Sequence, residues 1–166
     1  MRIYIAFGSN KELKSTKSQD VLKNALAALA EQAVTVEAVS RFWRSPAWPD
    51  PSDPAYVNAV ARVSTALDPA HLLALLHDIE ARFGRERRVV NAPRTLDLDI
   101  IDYEGRISTP GETPTLPHPR ATQRAFVLLP LRDIAPDWTD PASGEGIDAL
   151  ISGLDAADIE ATIPVS

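Results

Sequence analysis

Apolar residues first recur at Ile3, Ile5 and Phe7 and then stop at Gly8-Ser9-Asn10. A period of two places these side chains on one face of an extended chain, so residues 2 to 7 read as a strand running into a turn. The period then changes. Val21, Leu22, Ala25, Leu26 and Leu29 repeat every three to four residues, which is one helix face, with Ser18 or Thr16 available as its N-cap. Alternation returns at Val34, Val36 and Ala38 and predicts a strand over 34 to 44 that ends in Arg41-Phe42-Trp43-Arg44. Pro46, Pro49, Pro51 and Pro54 make 45 to 55 an irregular connection, after which Val57, Ala59, Ala61 and Val63 resume strand spacing.

Asp68-Pro69 supplies an N-cap and an N1 proline for a second helix, whose stripe of Leu72, Leu73, Leu76, Ile79 and Phe83 is closed by Gly84. His77 and Glu80 fall on the edge of that stripe, where a side chain can face a cleft. Leu96, Leu98 and Ile100 then alternate with Asp97 and Asp99, a strand with both carboxylates on one face. The order strand, helix, strand, strand, helix, strand predicts an α+β fold with a ferredoxin-like βαββαβ core, an antiparallel sheet with helices packed on one side. A Tyr103-Glu104-Gly105-Arg106 turn, a helical segment from about Ala121 and a short helix near Ile147 to Leu154 are extra C-terminal elements. No repeat or linker divides the chain, so residues 1–166 are expected to form a single domain.

Composition narrows the chemistry. The chain has no cysteine, which removes disulfides, thiolate metal sites and a cysteine nucleophile and leaves oxygen or imidazole as metal donors. A formal charge of −6 argues against a nucleic-acid partner, which calls for a basic surface. No apolar leader or long apolar span is present, so a cytoplasmic location and no membrane partner are expected. Within this acidic chain Arg82, Arg85, Arg87, Arg88 and Arg94 crowd the segment before Asp97, either as a solvated loop or as an anion-binding one.

Two carboxylates at i and i+2 on a strand can share or bridge magnesium ions that neutralise a triphosphate, although a solvent-facing polar edge gives the same pattern. No Gly-x-x-x-x-Gly-Lys-Ser/Thr loop occurs, so a phosphate clamp must come from arginine forks, with Arg85, Arg94 and Arg124 favoured over Arg82 and Arg88. Two or three of the arginines are ordinary surface charges on the simpler reading. His118 stands between Pro117 and Pro119, which restrict its backbone and can aim its imidazole at a ligand. His71 reads as a surface helix residue.

Taken together, Gly84-Arg85, Pro93-Arg94-Thr95-Leu96-Asp97-Leu98-Asp99-Ile100 and Leu116-Pro117-His118 resemble the signature of the 6-hydroxymethyl-7,8-dihydropterin pyrophosphokinases. Gly8-Ser9-Asn10, Arg44-Ser45-Pro46, Tyr56-Val57-Asn58-Ala59, Ile79-Glu80 and Arg124-Ala125-Phe126 are similar to further family segments in the same order, and the resemblance runs from Arg2 through Asp133. It implies that Asp97 and Asp99 hold two Mg2+ ions and act catalytically with Arg85 and Arg94. It implies an ATP site of His77, Glu80, Arg85, Arg87, Arg94, His118 and Arg124. Ser45, Pro46, Tyr56, Asn58 and Phe126 match the pterin pocket, the aromatics stacking on the ring and Asn58 bonding its polar edge; core packing is the alternative for both aromatics. The family's usual tryptophan before the aspartates is missing, since Val89-Val90-Asn91-Ala92-Pro93 has no aromatic.

The implied activity is transfer of pyrophosphate from ATP to the pterin hydroxymethyl group with release of AMP, in folate biosynthesis, by a monomer. Two other functions fit the same residues: a metal-dependent nucleotidyltransferase or nuclease, and a pterin- or nucleotide-binding relative with little turnover.

Overall fold

A computed structural model of the chain describes residues 1–10, 17–47, 52, 54–84 and 96–165. Its strands are β1 (Ile3–Ser9), β2 (Val34–Val39), β3 (Trp43–Ser45), β4 (Tyr56–Thr65), β5 (Asp97–Tyr103) and β6 (Ile163–Pro164). Its α-helices are α1 (Ser18–Ala30), α2 (Pro69–Arg82), α3 (Ala125–Ile134), α4 (Ile147–Ser152) and α5 (Ala156–Ala161), with a 3₁₀ turn at Ala121–Gln123. The strands form one antiparallel sheet in the order β5-β1-β4-β3-β6, and β2 also pairs with β4.

Register explains why this sheet has two working faces. Ile5 stands opposite Ala61 on one side and Ile100 on the other, while Phe7 stands opposite Ala59 and Leu98. These side chains share a buried core with Val21, Leu22 and Leu29 of α1 and Leu72, Leu76 and Ile79 of α2. The intervening residues Tyr4, Val60 and Trp43 point the other way and pack with Leu128 and Leu131 of α3, and with Trp138, Ile147 and Ile151. Helices therefore cover both faces, which corrects the expectation of a one-sided sheet. The cause is visible in β1, whose intervening positions Tyr4 and Ala6 are themselves apolar and need cover.

The second helix forms as its sequence predicts. Asp68 accepts the N–H of His71 at 2.8 Å, Pro69 opens the first turn, and Gly84 at φ 77° follows the end. The first helix begins differently: Lys17 holds the cap position without a side-chain bond, Ser18 is already helical, and Thr16 lies outside the described residues. The strand expected over 34 to 44 is two strands. Ser40 separates them, its N–H donating to Val60 O and its hydroxyl accepting the Val60 N–H, both at 2.9 Å. Ser45 consequently belongs to β3 rather than to the irregular connection.

β3 is held against α3 by Asp133. That carboxylate accepts Trp43 Nε1 at 2.9 Å and Arg41 Nη2 at 2.9 Å, and the Arg41 guanidinium lies 4.9 Å from the Trp43 ring centroid. Beyond α3, Trp138 donates to the buried Asp102 at 2.9 Å, and β6 adds a short strand on the outer edge of β3. No helix among the described residues is long and apolar enough to cross a membrane.

Candidate active site

The face of β1 directed toward α3 tapers. Tyr4 fills its place in the core, Ala6 offers a methyl group and Gly8 nothing, so the sheet surface drops away as the strand runs toward Ser9. A cleft of about 570 Å³ occupies that end, floored by Ala6 and Gly8 and walled by β3, β4, β5 and the start of α3. Gly8 sits in register with Asn58 on one side and Asp97 on the other. A Cβ at Gly8 would stand 3.3 Å from Asn58 Oδ1 and 3.8 Å from Tyr56 Cδ1, so glycine here keeps the floor open.

Ser45, Pro46, Tyr56, Asn58 and Phe126 line one part of this cleft. Asn58 is 3% exposed, and its Nδ2 donates to Ser45 Oγ at 2.9 Å. With Nδ2 on Ser45, Oδ1 stands over Gly8 as an acceptor. Tyr56 and Phe126 are half-buried and border the open space, unlike the closed core around Phe7.

Asp97, Asp99, His118 and Arg124 line the other part. The alternation of β5 buries Leu96, Leu98 and Ile100 on the far face and leaves both aspartates half-exposed on this one. His118 is brought to them because its backbone N–H donates to Ile101 O at 2.8 Å, docking the proline-rich loop on β5. Its Nε2 lies 3.8 Å from Asp99 Oδ1, and its Nδ1 accepts the backbone N–H of Arg120 at 3.2 Å. The neutral ring therefore carries its proton on Nε2, directed at the acidic pair. Burial holds the imidazole pKa below its usual value; Asp99 and Asp97 oppose this, and Arg124 and Arg120 reinforce it. The Arg124 guanidinium lies 5.4 Å from the Phe126 ring centroid, linking the two parts of the cleft.

Other expected residues lie elsewhere. Glu80 does not line the cleft: it is 1% exposed beneath the opposite face of the sheet, and its Oε2 accepts the backbone N–H of Leu98 at 2.8 Å. His77 is exposed on α2, also on that side. Arg85, Arg87 and Arg94 lie outside the described residues. Arg120 and Gln123 line the cleft and were not singled out from the sequence. Arg120 follows His118 by two residues in a docked loop, a signal available only once that loop is placed. Among the described residues no group of three His, Asp or Glu side chains forms a ready metal cage.

Comparison with known proteins matches residues 4–136 to the model of the 7,8-dihydro-6-hydroxymethylpterin-pyrophosphokinase (HPPK) family. The chain belongs to this family. A 2-amino-4-hydroxy-6-hydroxymethyldihydropteridine pyrophosphokinase of Synechocystis sp. is 42% identical over 146 residues, covering 87% of this chain and 74% of the relative. One of the same name from Methylorubrum extorquens is 36% identical, with 96% of this chain and 97% of the relative aligned. The crystal structure of a Plasmodium falciparum HPPK-DHPS superposes with a TM-score of 0.67 at 14% identity. That match covers 90% of this chain and 43% of the Plasmodium chain, so the likeness is one of fold.

Of the described polar residues in the HPPK-like segments, Ser45, Tyr56, Asn58, Asp97, Asp99, His118 and Arg124 line one cleft, whereas Ser9, Asn10, Arg44 and Glu80 do not line it. The elements α4, α5 and β6 follow the end of the family match at residue 136. Trp138, Ile147 and Ile151 nevertheless complete the core behind the cleft.

Proposed function

We propose that this chain transfers the terminal pyrophosphoryl group of ATP to the hydroxymethyl oxygen of 6-hydroxymethyl-7,8-dihydropterin, releasing AMP, as a step in folate synthesis. One observation carries the reading in a chain of this family. A single cleft joins an aromatic, amide-bearing part at Ser45, Tyr56, Asn58 and Phe126 to a two-carboxylate strand faced by His118 and Arg124. A flat heteroaromatic ring with a polar edge suits the first part, and a charged polyphosphate suits the second.

Asn58 Oδ1 and the aromatic side chains would hold the ring so that its hydroxymethyl group points along the sheet toward Asp97 and Asp99. His118, through its Nε2 proton, and Arg124, through its fork, would bind phosphate oxygens, aided by Arg85, Arg87 and Arg94. Asp97 and Asp99 fit magnesium by their chemistry: hard oxygen donors, half-exposed, beside open space that water and phosphate can enter. Two magnesium ions shared with the triphosphate would neutralise its charge and that of the departing phosphate. The hydroxymethyl oxygen then forms a bond to the β-phosphorus while the bond from that phosphorus to the α-bridging oxygen breaks. AMP departs and the hydroxyl proton passes to solvent. In-line positioning and charge stabilisation by these side chains supply the catalysis, without a covalent enzyme intermediate.

The same reading takes β1, α1, β2, β4, α2 and β5 as a ferredoxin-like core, supported by the sheet order β5-β1-β4-β2. It also takes residues 1–166 as one domain acting as a cytoplasmic monomer. The decisive assay incubates the protein with ATP, magnesium and the hydroxymethyl pterin and measures AMP and pterin pyrophosphate by mass spectrometry. Pterin-dependent AMP release is expected. Absence of AMP, or ATP breakdown indifferent to the pterin, overturns the reading.

A further inference from the structure

Glu80 is a fully buried acid on α2, with the sheet between it and the cleft. A carboxylate in that position requires strong partners. One is the backbone N–H of Leu98, which donates to Oε2 at 2.8 Å. Leu98 lies between Asp97 and Asp99, and its own side chain is 2% exposed in the core that α2 covers. The bond therefore grips β5 at the one residue whose backbone joins the two cleft carboxylates. β5 is also the edge of the described sheet, with β1 as its only strand neighbour in the sheet order. N–H groups on the outer side of an edge strand have no ladder partner, and the strand frays unless another group takes them.

The same contact bridges the chain. α2 ends at Arg82 and β5 begins at Asp97, so Glu80 and Leu98 tie together the two ends of the connection whose sequence carries Arg85, Arg87 and Arg94.

We propose that Glu80 is a positioning residue for the cation site. By fixing the backbone of Leu98 it sets the height and spacing of the Asp97 and Asp99 carboxylates, so that they engage a divalent cation as a pair. The role of that cation rests on the pyrophosphokinase reading; the positioning itself does not. What the strand requires from Glu80 is an oxygen acceptor, so a glutamine, whose Oε1 can take the same N–H, should replace it, whereas alanine should not.

The test uses the full chain as wild type, Glu80→Gln and Glu80→Ala. Three measurements apply: exchange protection of the Leu98 amide by NMR, binding of Mn2+ with a non-hydrolysable ATP analogue by water relaxation, and pterin-dependent AMP release against magnesium concentration. Glu80→Ala is expected to lose Leu98 protection and to lower both Mn2+ affinity and kcat by about 10- to 100-fold, the usual cost of removing a group that orients metal ligands. Glu80→Gln should keep Leu98 protected and stay within about threefold in both, because its Oε1 accepts the same N–H in the same place, although with roughly half the strength of the charged bond. Affinity for the pterin alone should be unchanged in either variant.

Equal losses in Glu80→Gln with Leu98 still protected would overturn the proposal in favour of a role for the charge itself. Wild-type Mn2+ binding and kcat in Glu80→Ala, or an undisturbed Leu98 amide there, would also overturn it. If Glu80→Ala does not fold, Glu80→Gln decides alone, by remaining within threefold or failing to. A wild type that binds Mn2+ but releases no AMP would defeat the functional reading while leaving Leu98 exchange and Mn2+ binding to judge Glu80.

Discussion

Asn58 Nδ2 donates to Ser45 Oγ at 2.9 Å across two paired strands, and both residues are buried. The hydroxyl therefore holds the amide with Oδ1 toward the space above Gly8, and on the proposed reading it would act on the pterin only through that amide. Ser45→Ala should weaken pterin binding by about 1 kcal/mol, a neutral hydrogen bond, and Asn58→Ala by roughly 1–3 kcal/mol, with ATP affinity little changed. Calorimetry with each ligand separately checks this. Equal losses for both ligands would indicate a damaged sheet instead.

Gly8→Ala is expected to separate binding from folding. The new methyl would press on Asn58 Oδ1 at 3.3 Å and meet Tyr56 Cδ1 at 3.8 Å, both in the part of the cleft proposed for the pterin. On the proposed reading the effect should appear chiefly in pterin KM, because the methyl projects into the open cleft rather than into the closed core. A circular dichroism melt close to wild type, beside a raised KM, is the expected pair of results. A normal KM would mean that the ring does not reach the floor at Gly8.

Asp97→Asn and Asp99→Asn should each reduce pterin-dependent AMP release by about 100-fold or more and raise the magnesium needed for half-maximal rate, since an amide is a poor ligand for a hard cation. The fold should persist. Both side chains are half-exposed, and the strand is anchored by Leu96, Leu98 and Ile100 on its other face. Near-normal rates at low magnesium in either variant would remove that residue from the metal site.

Asp102 supplies a pH test of the core behind the cleft. It is 4% exposed and accepts Trp138 Nε1 and the Gly105 N–H, each at 2.9 Å. Burial raises its pKa above the usual 3.8 against the pull of those two donors. For an acid raised in the folded state, the contribution to stability is present in full below the unfolded pKa and is lost as pH rises through the folded one. Asp102→Asn cannot titrate. The stability of wild type minus that of Asp102→Asn should thus fall as pH climbs from 3.8, measured by urea unfolding at a series of pH values. A difference that grows with pH would show that the two donors outweigh burial.

Legibility in the sequence followed the range of each interaction. Helix α2 was readable end to end because its cap, its proline and its closing glycine all act within a few residues. The carboxylate pair was readable because strand alternation alone puts Asp97 and Asp99 together. The break between β2 and β3 was not, since it depends on Ser40 bonding Val60, 20 residues away. Coverage of the second face was missed for a similar reason: Tyr4 and Ala6 read as fillers between Ile3, Ile5 and Phe7 until α3 is placed over them. Glu80 reads from helical spacing as an edge residue able to face a cleft and from resemblance as an ATP residue; its bond to Leu98, 18 residues on, is a contact that neither signal contains.

The taper of Tyr4, Ala6 and Gly8 makes a structural strand double as the floor of the cleft, with β4 and β5 bonded along both edges. Such a floor cannot loosen by itself. Opening it means parting the centre of the sheet, a motion that belongs to global unfolding rather than to local breathing. The Gly8 end of the cleft is therefore a rigid template, already shaped before any ring arrives. A pterin seated there, as proposed, would put its binding energy into holding the ring and not into building the surface beneath it, and any adaptation to ligand would be carried by segments outside the sheet.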